Sequence, residues 1–203
     1  MPPQPLLHAD AAAVRVAVAD VAREPSDAEL LARLRTGDEH ALDRLLQRHW
    51  SAIVEYVARL TGSRDAAEDV AQRTFCRLWE QRERWAAEGA LRGLLFRVAR
   101  NFAIGERRRD DAETRCSAAS AAAQRTIRTP LELLENQQLR RELDRAIMEL
   151  PDRRREVFVL RCLHDFSYKE IAAIMGTSTQ TVANQLSHAL ATLRSRLGFL
   201  LDG

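Results

Sequence analysis

The chain has 203 residues, room for one or two small domains. Its 31 Lys and Arg meet 29 Asp and Glu, a net charge of +2. This excludes a wholly basic, histone-like nucleic-acid binder, but not local basic patches, because charge acts within a Debye length of roughly 10 Å.

Residues 1–25 carry three prolines in the first five, then an Ala/Val stretch cut by Asp10, Arg15 and Asp20. The basic start and unbroken apolar run of a signal peptide are both missing, so a disordered N-terminal tail or a frayed helix is expected. Ser26 and Glu29 have the spacing of a capping box and open a first helix with Leu30, Leu31 and Leu34, ended at Gly37. A longer helix starts near Asp38. Its apolar residues Leu42, Leu45, Leu46, Ile53, Val54, Val57 and Leu60 follow the 3–4 spacing to Gly62. Ser63 caps a third helix over about 64–80, which puts Ala67, Val70, Ala71, Thr74 and Leu78 on one side. Asp65, Glu68, Asp69, Gln72 and Cys76 take the other.

A fourth helix covers about 91–108, with Leu94, Leu95, Val98, Ala99 and Phe102 expected to face inward and Arg97, Arg100, Arg107 and Arg108 outward. Residues 110–129 turn Ala/Ser/Thr-rich, with no apolar stripe, and read as a flexible linker. Thr129, Pro130 and Glu132 then open a helix that runs to about Leu150. Three helices follow. Asp152 is expected to cap the first. Ser167 and Glu170 form a capping box for the second, a short one stopped at Gly176. Ser178 caps the last, striped by Val182, Leu186, Ala189, Leu190, Leu193 and Leu197. The fold class is therefore all-α, two small helical domains joined by a linker, with a tail over 1–25 and domains over 26–109 and 130–203.

Three patterns bear on function. The short helix, glycine turn and amphipathic helix over 167–197 make a helix-turn-helix, whose second helix would enter a major groove. Thr181, Asn184, Gln185 and His188 are its outward residues, and Asn and Gln suit an adenine edge. An ordinary helical hairpin has the same spacing. The arginines at 92, 97, 100, 107, 108 and 109, interleaved with Phe96 and Ile104 and preceded by Trp85, suit a nucleic-acid backbone and stacked bases. They equally suit a solvated helix end. The stripe Asp65, Glu68, Asp69 and Gln72 either complements the helix N-terminus or docks on a basic protein surface. It has no His at ligand spacing, so no metal is expected there.

Glycine-rich phosphate loops, nucleophile elbows and zinc-protease patterns are absent from the sequence, and neither an enzyme nor a cofactor is expected. Cys76, Cys116 and Cys162 are odd in number and unpatterned, which argues against a disulfide framework and for a reducing, cytoplasmic setting. No run reaches the ~18 apolar residues of a membrane span.

With these residues in view, the chain resembles a bacterial RNA polymerase sigma factor of the extracytoplasmic-function (ECF) type. Residues 37–50 (GDEHALDRLLQRHW) resemble the start of that family's region two, and 64–79 (RDAAEDVAQRTFCRLW) its polymerase-docking helix. Residues 91–109 (LRGLLFRVARNFAIGERRR) resemble its promoter −10 helix, and 150–197 its region four. The resemblance implies that Asp65, Glu68, Asp69 and Gln72 meet the clamp helices of the polymerase β′ subunit. It implies −10 recognition by the loop 82–90 and the helix after it, with Trp85, Phe96, Arg97, Arg100, Asn101, Arg107 and Arg108 as site residues. For the −35 element it implies Thr179, Gln180, Thr181, Asn184, Gln185 and His188, with Arg153, Arg154 and Arg155 near phosphates. Region four would sit on the β flap, and an anti-sigma factor wedged between the two domains is a family expectation. Ala183 and Gln185 stand where the family commonly has basic residues. A stand-alone helix-turn-helix regulator and a polymerase-binding adaptor are the competing readings. The first lacks a dimerisation zipper, and the second leaves the arginines and the Asn/Gln pair without a use.

Overall fold

The computed structural model describes residues 24–85, 91–116 and 134–201, with side chains over 24–85, 91–105 and 141–197. The helices are α1 (Asp27–Arg35), α2 (Glu39–Thr61), α3 (Arg64–Glu80), α4 (Leu91–Cys116), α5 (Leu134–Met148), α6 (Asp152–Phe158), α7 (Tyr168–Met175) and α8 (Thr179–Leu201). A π turn, Val159–Leu163, joins α6 towards α7. Among the described residues there is no strand, as the all-α reading expects. Most of the expected tail and the cap at Thr129, Pro130 and Glu132 lie outside the described residues. The linker was expected to begin at residue 110, but α4 continues to Cys116, and 117–133 lie outside the described residues.

Local chemistry sets the helix ends. Ser26 Oγ accepts from the Glu29 N–H while Glu29 accepts from the Ser26 N–H at 2.6 Å, a complete capping box. Ser167 and Glu170 repeat the device at the start of α7. Asp38, Ser63 and Ser178 each accept an N–H in the first turn that follows them. Gly62 and Gly176 close α2 and α7 in the left-handed conformation, with φ of 76° and 64°. One cap differs from expectation: Pro151, with no side-chain bond, precedes α6, and Asp152 is its first helical residue. An acid in the first turn still complements the dipole.

Packing follows the stripes on α1, α2 and α3. Leu30, Leu31, Leu34, Leu45, Ile53, Val57, Ala67, Val70, Ala71, Thr74 and Leu78 are buried, joined by Phe75. α6, α7 and α8 bury Val157, Ile171, Ile174, Val182, Leu186, Ala189 and Leu193. The two halves then share one continuous core, because α4 is covered on two sides. Leu91, Leu95 and Ala99 are buried, while Leu94, Val98 and Phe102 are only half-buried. Phe96, Arg100 and Ala103, on or beside the side expected to face outward, are buried as well. The rings of Tyr56, Phe96 and Phe166 are fully buried here, and each such side chain contributes about 1.5–3 kcal/mol by leaving water.

Candidate functional site

The first surface is the outer side of α3. Ser63 starts the helix, and the buried stripe through Val70 and Thr74 fixes its rotation. Asp65, Asp69 and Gln72 are therefore exposed, and Glu68 is half-buried. Arg64 donates to Glu68 at 2.8 Å across one turn, which screens part of the acidic stripe. Beside it an apolar groove of about 490 Å³ runs between α2 and α3, lined by Leu42, Leu46, Trp50, Phe75, Cys76 and Trp79. Gln72 stands on the rim of this groove, so the polar stripe and the apolar channel form one surface. The sequence reading placed Leu42 and Leu46 with the core and did not see the channel.

The second surface involves α4 and the turn before it. Trp85 is half-buried and its indole N–H donates to the Leu78 carbonyl at 3.1 Å, which anchors the start of the loop. Residues 86–90 of that loop lie outside the described residues, as do the side chains of Arg107 and Arg108. Arg97 and Asn101 are exposed. Phe96 and Arg100 correct the expectation of an outward basic face. Arg100 is 9% exposed and its Nε donates to Glu156, while Phe96 is fully buried. A buried guanidinium needs a paired carboxylate to offset desolvation, and Glu156 of α6 supplies it.

The third surface is the α7–α8 pair. Gly176 turns the chain, and the apolar stripe of α8 packs against α6 and α7. Thr179, Gln180, Thr181, Asn184 and His188 are exposed, and Gln185 is half-buried. Gln180 donates to the Asn184 side chain at 3.0 Å, so the two amides are aligned along the helix. Arg153 is exposed and Arg154 half-buried. Arg155, expected near phosphates, is a second correction. Its side chain is 12% exposed and it donates to the carbonyls of Met148 (2.6 Å) and Leu150 (3.0 Å), stapling the end of α5 to α6.

Where the halves meet, the sequence reading missed Tyr56, Glu156, His164 and Phe166, and read Arg92, Phe96 and Arg100 as nucleic-acid contacts. Tyr56 donates to Glu156 at 3.0 Å, beside the Arg100 contact. Burial, with the neighbouring carboxylate, pushes the Tyr56 hydroxyl well above its usual pKa. The π turn places His164 and Phe166 against α4. Phe96 meets the His164 ring at 4.9 Å and the Phe166 ring at 4.8 Å, both edge-to-face. Arg92 lies 4.4 Å over Phe166 and donates to the His164 carbonyl. His164 is 4% exposed, and burial lowers its pKa to about 4. An open cleft of about 560 Å³ borders the joint, lined by Asn101, Ile104, Arg153, Met175 and Gly176 among others. A buried Tyr, Glu or His has no sequence signature when its partners are far along the chain.

Residues 45–113 match the family model of sigma-70 region 2, and residues 140–193 match that of sigma-70 region 4. The ECF RNA polymerase sigma-E factor of Escherichia coli (strain K12) is 28% identical over 181 residues, covering 85% of this chain and 94% of that protein. The RNA polymerase sigma factor NccH of Alcaligenes xylosoxydans xylosoxydans is 27% identical over 188 residues, covering 86% and 96%. Among solved structures, CnrH in complex with the cytosolic domain of CnrY superposes with a TM-score of 0.63 at 24% identity, over 87% of this chain and 97% of that one. The sigma factor RpoE in complex with the anti-sigma factor NepR, from Bartonella quintana, gives a TM-score of 0.63 at 24% identity, over 77% and 96%. At these identities the two structures support the fold alone.

Proposed function

The chain belongs to the sigma-70 family as an ECF-type sigma factor, and from that premise we propose how it directs RNA polymerase core to promoters. The exposed side of α3 docks on the polymerase. Asp65, Asp69 and Gln72 meet a basic partner on the β′ clamp helices, and the adjoining groove with Trp50 and Trp79 receives an apolar side chain of the same partner. The turn from Trp85 and the exposed Arg97 and Asn101 of α4 engage the −10 element. In the −10 role the loop holds a base flipped from the duplex, a step that costs a few kcal/mol and needs a fitted pocket.

Residues 179–188 of α8 read the −35 element in the major groove, with Arg153 and Arg154 nearest the phosphates. Region four rests on the β flap. The factor acts in the cytoplasm and has no chemistry of its own, since the polymerase forms the phosphodiester bonds. No helix among the described residues is long and apolar enough to cross a membrane. We propose an anti-sigma protein as its regulator, in line with the sigma factor RpoE of similar fold, which was solved with the anti-sigma factor NepR.

One observation carries this reading: a region-2 unit with an exposed acidic helix face and a region-4 helix-turn-helix occur in this order in one chain. The test is run-off transcription on a genomic template library with purified core polymerase, with and without this protein. Selective initiation only when the chain is present is the expected result. Its absence on every template refutes the reading. A stand-alone repressor would footprint DNA without core, and an adaptor would bind core without changing template choice.

A further inference from the structure

We propose that the Arg73 guanidinium of α3, held over the Phe102 ring of α4, is a stacking platform for an unpaired base of the promoter strand, so that α3 reads DNA with one edge and docks with another. This rests on the promoter-reading assignment above and adds residues to that same site. The sides of α3 differ in chemistry. Asp65, Asp69 and Gln72 stand on the side assigned to the polymerase, whereas Arg73 and Arg77, one turn apart, share the edge next to α4. The Arg73 guanidinium carbon lies 4.5 Å from the centre of the Phe102 ring.

Phe102 ends an oblique apolar strip. Leu94, Val98 and Phe102 recur every four residues on α4, and all three are half-buried, so each keeps part of its surface in water. Periodicity alone assigns them to the core. Cationic groups border the strip on two sides. Arg97 is exposed on α4, next to Asn101, and Arg73 and Arg77 stand on the α3 side. Glu80 lies 3.7 Å from Arg77 and offsets part of its charge.

An apolar strip between cationic edges fits a single strand of nucleic acid. Unpaired bases stack on aromatic rings and on guanidinium planes, while the phosphates beside them pair with arginine. Paired bases are already stacked on one another, so a duplex would use the arginines and leave the strip empty. The planar guanidinium matters here, because a lysine supplies the charge without the plane. Phe102 beneath it holds that plane in place, which lowers the rotamer entropy an exposed arginine would lose on binding.

The test uses holoenzyme assembled from core polymerase and the full chain, with core alone as the baseline. The probe is a fluorescein-labelled single strand of mixed sequence, about 20 nucleotides long, and the same strand as a duplex, read by anisotropy over a salt series. Arg73→Lys should weaken single-strand binding about tenfold with an unchanged salt slope. Phe102→Leu should do the same, and Phe102→Tyr, which keeps the ring, should retain the parent affinity. Arg77→Gln with Arg97→Gln should lower the slope of log K against log salt by about 1.4, two phosphates at about 0.7 each. Duplex binding should not respond to Arg73→Lys, and every variant should bind core as the parent does, since the acidic side of α3 is intact. Circular dichroism verifies folding. A merely structural Arg73–Phe102 contact would move the melting temperature and leave strand affinity unaltered. Parent-like single-strand affinity in Arg73→Lys, or equal losses on single strand and duplex, overturns the platform. So does a loss of core affinity, which would give the strip to the polymerase instead. A failed run-off assay sinks the promoter-reading assignment, whereas selective initiation with strand binding indifferent to Arg73 sinks the platform alone.

Discussion

Acidification should loosen the protein, and most of the effect should pass through His164. The ring sits between α2 and α4, 6.2 Å from Tyr56 and 4.9 Å from Phe96. Burial is the largest influence on it. Glu55 and Asp165 favour its protonation and Arg92 and Arg59 oppose it, and the balance is a pKa lowered from 6.5 to about 4. The unfolded chain therefore binds a proton that the folded chain refuses in the window between those two values. Above pH 6.5 the ring is neutral in both states and contributes no pH dependence. As pH falls below 6.5, stability declines by up to about 1.4 kcal/mol per unit, for a loss of about 3 kcal/mol by pH 4. His49 shifts in the same direction by burial, but it lies inside the α1–α2 packing beside Asp27. The lowered pKa values of Asp38, held by Arg33, and of Glu170, held by Ser167, act in a lower window, as pH falls through the carboxylate range. The assay is urea unfolding at steps between about pH 7.5 and pH 4.5, on the parent protein and on His164→Phe, which keeps a ring and removes the titration. The parent should lose stability down this range and the variant should lose clearly less. Equal slopes for the two proteins would refute the reasoning.

Three further outcomes are expected. Asp65→Lys with Asp69→Lys should abolish pull-down by core polymerase while leaving circular dichroism unchanged, and unaltered capture would remove the docking assignment. Asn184→Ala should weaken transcription from −35-dependent promoters by about 1–3 kcal/mol, more than the half-buried Gln185→Ala, as read on a panel of −35 mutants. If both variants keep the parent's promoter ranking, base reading by α8 is excluded. Gly176→Ala should cost about 1 kcal/mol, because φ is 64° there and a Cβ meets no atom within 4 Å. Gly176→Asn should cost less, and a melting curve that ranks the two the other way would show the cost to be steric instead.

The helices and their starts were legible because their causes are local. A capping box needs only Ser and Glu three residues apart, and both Ser26–Glu29 and Ser167–Glu170 form as the spacing predicts. The buried stripe of α3 was legible for a similar reason, since one apolar side and one polar side leave a single rotation. α4 was not. It is buried on two sides, so its arginines split between solvent (Arg97) and interior (Arg100), and periodicity cannot tell them apart. Arg155 misled for the same cause: an arginine that caps carbonyls has the same letter as one that faces phosphate. Glu156 contacts residues 56 and 100 positions away, and no window along the chain contains that information. The π turn at Val159–Leu163 leaves no pattern in the sequence either, yet it aims His164 and Phe166 at α4.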